Sequence, residues 1–167
     1  MSEPIEIDAS LIASAAALLD ACRQRELKLA TAESCTGGLL AATLTAVPGS
    51  SDVFDRGFVT YSNDAKSDML DVSPALIDRH GAVSKQVARA MLDGALDRSQ
   101  ADLAVSVTGI AGPDGGSAEK PVGLVHFAAR RRHGETVQKQ ILFGDAGRGE
   151  VRRLSVAQAL ALLASLL

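Results

Sequence analysis

Apolar residues recur at helical spacing from Leu11 to Arg25, where Leu11, Ile12, Ala15, Leu18, Leu19 and Cys22 share one face and Asp8 or Ser10 can cap the start. The period then shortens. Leu27–Thr31 reads as a strand, broken by the polar turn Glu33-Ser34-Cys35-Thr36-Gly37-Gly38, and Leu39–Ala46 reads as a helix that ends at Pro48-Gly49. Phe54–Ser62 predicts a second strand, weakened by Gly57. Asn63–Leu70 and Pro74–His80 predict short helices, and Ser84 caps a longer one over Lys85–Arg98. Asp102–Thr108 is apolar enough for a strand covered on both faces. It opens into Gly109–Lys120, which holds four Gly and one Pro in 12 residues. Val122–Arg131 and Glu135–Phe143 predict a hairpin around Arg132-His133-Gly134, and Glu150–Leu167 a closing helix. Alternating helices and strands followed by a hairpin predict an α/β fold, a three-layer α/β/α sandwich with a mixed sheet and a late β-hairpin. No repeat, linker or low-complexity tract interrupts residues 1–167, so one domain is expected.

Composition narrows the function classes. With 47% hydrophobic and 22% charged residues the chain is not a disordered one. Seventeen Lys+Arg against 20 Asp+Glu leave a net charge of -3, and the run Arg130–Arg132 reads as a solvated strand end, so no nucleic-acid partner is expected. The apolar segment Leu154–Leu167 contains Ser155, Gln158 and Ser165 and falls short of the roughly 20 residues a membrane span needs. The first eight residues are acidic where a signal peptide would be basic, which predicts a cytoplasmic protein with no membrane partner. Two Cys and three His, with no Cys-x-x-Cys or His-x-x-x-His, supply neither a disulfide framework nor a zinc motif, so no metal or cofactor is expected. The closing helix is apolar around much of its circumference, which suits either its own core or a subunit interface, and a homo-oligomer is expected.

Three features could carry chemistry. Ser34, Cys35 and Thr36 stand at a helix entrance, where free N–H groups attract anions, and Gly37 and Gly38 permit close approach. The plain alternative makes Ser34 or Thr36 an N-cap and Glu33 a capping or surface carboxylate. The loop Thr108-Gly109-Ile110-Ala111-Gly112-Pro113-Asp114-Gly115-Gly116 suits a backbone nest for phosphate or carboxylate, though it matches neither a Walker A loop nor Gly-x-Gly-x-x-Gly. The third is Tyr61-Ser62-Asn63-Asp64-Ala65-Lys66, which holds the sole Tyr of the chain. Taken singly, that Tyr reads as packing and that Lys as a solvated helix charge.

The motifs Ala32–Leu40, Leu44–Ser51, Tyr61–Lys66, Gly81–Ser84, Val107–Gly116 and Lys120–Gly123 follow one another in the order and spacing of a known family. In them the chain resembles the C-terminal domain of the competence/damage-inducible protein CinA, the nicotinamide mononucleotide deamidase (PncC) family, from about Leu11 to the C-terminus. Its length leaves no room for that family's other, N-terminal domain, which predicts a stand-alone form. The resemblance implies an α/β sandwich amidohydrolase of the Ser/Lys type acting on a small-molecule nucleotide in pyridine nucleotide salvage. It would convert nicotinamide mononucleotide and water to nicotinic acid mononucleotide and ammonia. It implies Ser34 as nucleophile and Lys66 as its base, with Tyr61 and Thr108 as the polar residues around them. Glu33, Thr36, Gly37, Gly38, Asn63, Gly109, Gly112, Gly115 and Arg148 are the substrate-binding candidates. The chain departs from the family's Gly-Asp-Arg element, reading Gly144-Asp145-Ala146-Gly147-Arg148. Arg148 is the choice at this position, with Arg152 as the alternative.

Elementary chemistry is compatible with those roles. An ordinary Lys, with a pKa near ~10.4, is protonated at neutral pH, and service as a base requires a fall of roughly 3 units through burial or a cationic neighbour. Oxyanion donors are expected from the Thr36–Gly38 turn, and a proton relay through Tyr61 or Thr108. Cys35 competes with Ser34, since a helix N-terminus lowers a thiol pKa, but adjacent residues point about 100° apart and only one can face the site. A regulatory module that binds a nucleotide or phosphosugar without catalysis is the alternative reading. It would have no use for an amine poised beside Ser34.

Overall fold

The computed structural model describes residues 6–167; the first five residues of the acidic N-terminal stretch lie outside the described residues. Helix α1 (Ala9–Gln24) is capped by Asp8, whose carboxylate accepts the Ser10 N–H at 2.7 Å. It buries Leu11, Ala15, Leu18, Leu19 and Cys22, all of its predicted apolar face except Ile12. Five strands follow: β1 (Leu29–Glu33), β2 (Phe54–Val59), β3 (Leu103–Gly109), β4 (Leu124–Arg131) and β5 (Val137–Leu142). They form one sheet in the order β2-β1-β3-β4-β5. The first three are parallel, and β4 and β5 run antiparallel as the expected late hairpin.

Helices cover both faces. On one side lie α1, α2 (Leu39–Thr45) and α6 (Arg148–Ala164), packed on Leu29, Val105, Val107, Val125 and Phe127. On the other lie α3 (Asn63–Leu70), α4 (Pro74–His80) and α5 (Lys85–Asp97). There the sheet presents Ala30, Ala32, Ala104 and Ala128, whose small side chains make room for Val87, Met91 and Leu92 of α5. This is the three-layer α/β/α architecture with a mixed sheet. Buried residues of α6 are spread around it, Val151, Ser155, Val156, Ala159, Leu160, Leu162 and Leu163, because it lies on the sheet and against α1. No helix among the described residues is long and apolar enough to cross a membrane.

Among the boundaries that differ from the sequence reading, two bear on the site. Strand β1 runs to Glu33, which was expected to open the turn. Its backbone pairs with Val59 on one side and Val107 on the other while its carboxylate serves α2. Strand β2 ends at Val59 rather than Ser62, because Ser62 is needed as the N-cap of α3, accepting the Ala65 N–H at 3.0 Å. Parallel β1 and β3 are neighbours, so the segments after Glu33 and after Gly109 emerge side by side at the carboxyl edge of the sheet. Sites of open α/β sheets form at that edge.

Candidate active site

Ser34 is the first residue past β1, held in line by its N–H, which donates to the Val107 carbonyl at 2.9 Å. Lys66 sits one turn into α3 and bends back toward the start of its own helix. Its side chain is buried, with a residue exposure of 1%, and Nζ stands 3.0 Å from Ser34 Oγ. Nζ also lies 2.8 Å from the Thr60 carbonyl and 3.5 Å from the Ser62 carbonyl. No carboxylate among the described residues comes within ion-pairing distance of it. Burial without a counter-ion pulls the ammonium down from its ordinary value to about 8. A neutral amine has two N–H groups and one lone pair. The two carbonyls can take the N–H groups, which turns the lone pair toward the Ser34 hydroxyl.

Cys35 lies beside this pair with the opposite tuning. Its thiol packs into the core between the sheet and the α1–α6 side, and burial, reinforced by the nearby Glu33 carboxylate, pushes it up to about 12. The helix-entrance effect expected to activate it is outweighed by desolvation. A thiol in that state is a poor nucleophile.

Ser34, Cys35 and Lys66 line a cavity of about 260 Å³. Thr108 and Asn63 form part of its wall, as do Gly109, Gly112 and Gly115 of the Gly-rich loop. Thr108 Oγ1 donates to the Ala82 carbonyl at 2.9 Å, so its hydroxyl proton is engaged. Tyr61 is 60% exposed and stands at the mouth rather than beside Ser34. There its hydroxyl accepts from Arg148 at 2.7 Å, and a second nitrogen of Arg148 donates to the Gly112 carbonyl at 2.8 Å. Arg148 thus joins the two sides of the opening. Arg152 points elsewhere, donating to the Thr36 carbonyl at 2.9 Å.

Four candidates stand apart from the lining. Glu33 is fully buried and accepts from the Thr36 hydroxyl at 2.7 Å, the Leu40 N–H at 2.9 Å and the Ala41 N–H at 3.1 Å. The donors at the start of α2 are therefore consumed from within. Thr36 is buried against that carboxylate, and the N-cap position falls to Gly38, whose φ of 95° suits glycine. The turn Thr36–Gly38 lies outside the cavity lining, and the Gly37 N–H goes to the Ser34 carbonyl. Glycine in the second loop also has a packing cause. A Cβ on Gly112 would meet Val122 at 2.5 Å, where the loop doubles back on itself.

Sequence reasoning missed Ala82, Val83, Ile110, Ala111 and Asp114 in the lining, and the Thr60 and Ser62 carbonyls on Nζ. The motifs Gly81–Ser84 and Val107–Gly116 contained the first group. Backbone carbonyls leave no mark in residue type. No group of three or more His, Cys, Asp or Glu among the described residues is arranged to hold a metal ion.

The model of the CinA C-terminal domain matches residues 12–167. Over 141 residues, 84% of each chain, this protein is 51% identical to the nicotinamide-nucleotide amidohydrolase PncC of Escherichia coli K12. It is 52% identical over 138 residues to a CinA-like protein of Akkermansia muciniphila, a match that takes in 83% of this chain but 33% of that relative. The crystal structure of the competence/damage-inducible protein CihA from Agrobacterium tumefaciens superposes with a TM-score of 0.94 at 50% identity, covering 99% of this chain and 98% of that one.

Proposed function

Since the chain belongs to the CinA C-terminal domain family, we propose that it is an amidohydrolase that converts nicotinamide mononucleotide and water to nicotinic acid mononucleotide and ammonia. The observation that carries this reading is the buried 3.0 Å contact between Lys66 Nζ and Ser34 Oγ at the cavity wall. The similarity to the E. coli amidohydrolase supports the choice of substrate.

In the proposed reaction the Ser34 hydroxyl proton passes to neutral Lys66 as Oγ attacks the carboxamide carbon. The tetrahedral intermediate collapses with cleavage of the C–N bond, and the Lys66 ammonium returns the proton to the departing nitrogen, releasing ammonia. Water then attacks the acyl-enzyme, Lys66 takes its proton, and the Ser34 oxygen leaves as the hydroxyl. Cys35 belongs to the cavity wall, whereas Thr36, Gly37 and Gly38 do not, which makes its backbone N–H the candidate oxyanion donor in place of the Thr36–Gly38 turn. With the Thr108 proton engaged and Tyr61 at the mouth, Lys66 alone carries the proton both ways in this scheme. Use of the amide in nucleotide salvage and assembly as a homo-oligomer belong to the same reading.

Ammonia release from nicotinamide mononucleotide, followed together with formation of the acid nucleotide, is the test. Stoichiometric binding without turnover would replace this reading with that of a ligand-holding module.

A further inference from the structure

The Ser34–Lys66 contact is one side of a closed circuit. Ser34 is bonded to Glu33; the Glu33 carbonyl accepts the Thr60 N–H at 2.8 Å; the Thr60 carbonyl faces Lys66 Nζ at 2.8 Å; and Nζ meets Ser34 Oγ at 3.0 Å. One member of this circuit is tied to a third element. The Glu33 side chain leaves the opposite face of β1 and gathers Thr36 Oγ1 and the N–H groups of Leu40 and Ala41. The turn that bears Ser34 therefore spans two fixed points, the β1 backbone and the start of α2, and Glu33 holds both.

We propose that Glu33 is a positioning residue for Ser34. Its carboxylate clamps the turn 34–38 onto α2 and so sets the direction in which the Ser34 hydroxyl meets the amine. The inference rests on Ser34 and Lys66 being the reacting pair. Glu33 touches neither substrate nor the reacting atoms and is absent from the cavity wall. Length and charge both matter. Each oxygen of the carboxylate accepts, and an amide in its place would turn an NH2 toward one of the donors and leave that donor buried without a partner.

The test uses Glu33→Gln and Thr36→Val, the second removing a single donor to the carboxylate at nearly constant shape. For each, kcat and KM on nicotinamide mononucleotide are measured with the melting temperature, and covalent labelling of Ser34 by phenylmethylsulfonyl fluoride is timed by mass spectrometry. Glu33→Gln is expected to lower kcat and the labelling rate together by tenfold or more, and Thr36→Val by about threefold, with KM within twofold of the parent. Folded variants with parental kcat and labelling rates would overturn the proposal even if they melt earlier. Should Glu33→Gln not fold, Thr36→Val decides the matter by the same criteria. A parent protein that labels at Ser34 but leaves the nucleotide intact would instead count against the proposed substrate, and the labelling rates of the variants would still judge Glu33.

Discussion

Gly94 of α5 lies against the carbonyl of Leu70, the last residue of α3: a Cβ on Gly94 would overlap that oxygen. Helix propensity alone favours Gly94→Ala by about 1 kcal/mol. Here the obstacle is backbone, which no rotamer change relieves, and overpacking typically costs about 1–3 kcal/mol. The expected outcome is a net loss of about 1 kcal/mol, and at most about 2, in chemical denaturation. A drop in turnover should accompany it, because α3 carries Lys66 and would be pushed off α5. A more stable, fully active variant would show that α3 is free to move.

Replacement of Ser34 and of Cys35 should have opposite consequences. Ser34→Ala is expected to lower kcat by roughly 10³-fold or more. Cys35→Ala should retain activity within severalfold and lose about 1 kcal/mol of stability, because its thiol is a packed core group with a pKa raised to about 12. Retained turnover in the Ser34 variant would remove the serine mechanism.

The lowered Lys66 pKa sets a pH profile. The rate should rise with the neutral fraction of the amine, so kcat/KM climbs through a midpoint near 8 and at pH 7 stands at about a tenth of its plateau. Lys66→Arg, which stays protonated, should abolish both the activity and the limb. The stability effect has a definite sign. Below about 8 the amine is charged in both folded and unfolded chains and its burial penalty is present in full. Between about 8 and the ordinary value of 10.5 the unfolded chain binds more protons, so stability from this group rises with pH by roughly 3 kcal/mol at most. Denaturation midpoints of the parent and of Lys66→Met, compared across that window, should converge from pH 8 to 10. Parallel curves would mean an unshifted Lys66.

At the mouth, Arg148→Lys keeps the charge but cannot reach Tyr61 and Gly112 together with a planar fork. KM is expected to rise about tenfold with kcat within threefold, measured by steady-state kinetics. A fall in kcat at constant KM would instead put the guanidinium at the reacting centre.

Local signals carried most of the fold. The cap at Ser84 and the starts of α3, α4 and α5 are short-range features, and the structure has them where residue type places them. The end of β1 was misjudged for a related reason: Glu33 looks like loop by type, while the ladders with Val59 and Val107 that keep it in the sheet are long-range. The contact between Ser34 and Lys66 is long-range too. Nothing in periodicity brings residues 32 positions apart together; the ordered motifs suggested it, and the parallel pairing of β1 with β2 accomplishes it. The turn after Ser34 looked available to a ligand because its glycines and hydroxyls are legible, whereas the carboxylate that occupies it from below is not.

In the proposed mechanism nucleophile and amine both come from the span between residues 34 and 66, while Arg148 and the Gly-rich loop belong to the later half of the chain. In that scheme proton handling lies in the earlier stretch, while the wall around it draws on both, since Tyr61 and Asn63 line it as well. Exchange of the Gly-rich loop and Arg148 alone would then retune part of what is admitted and leave Tyr61, Asn63 and the Val107 carbonyl that holds Ser34 in place.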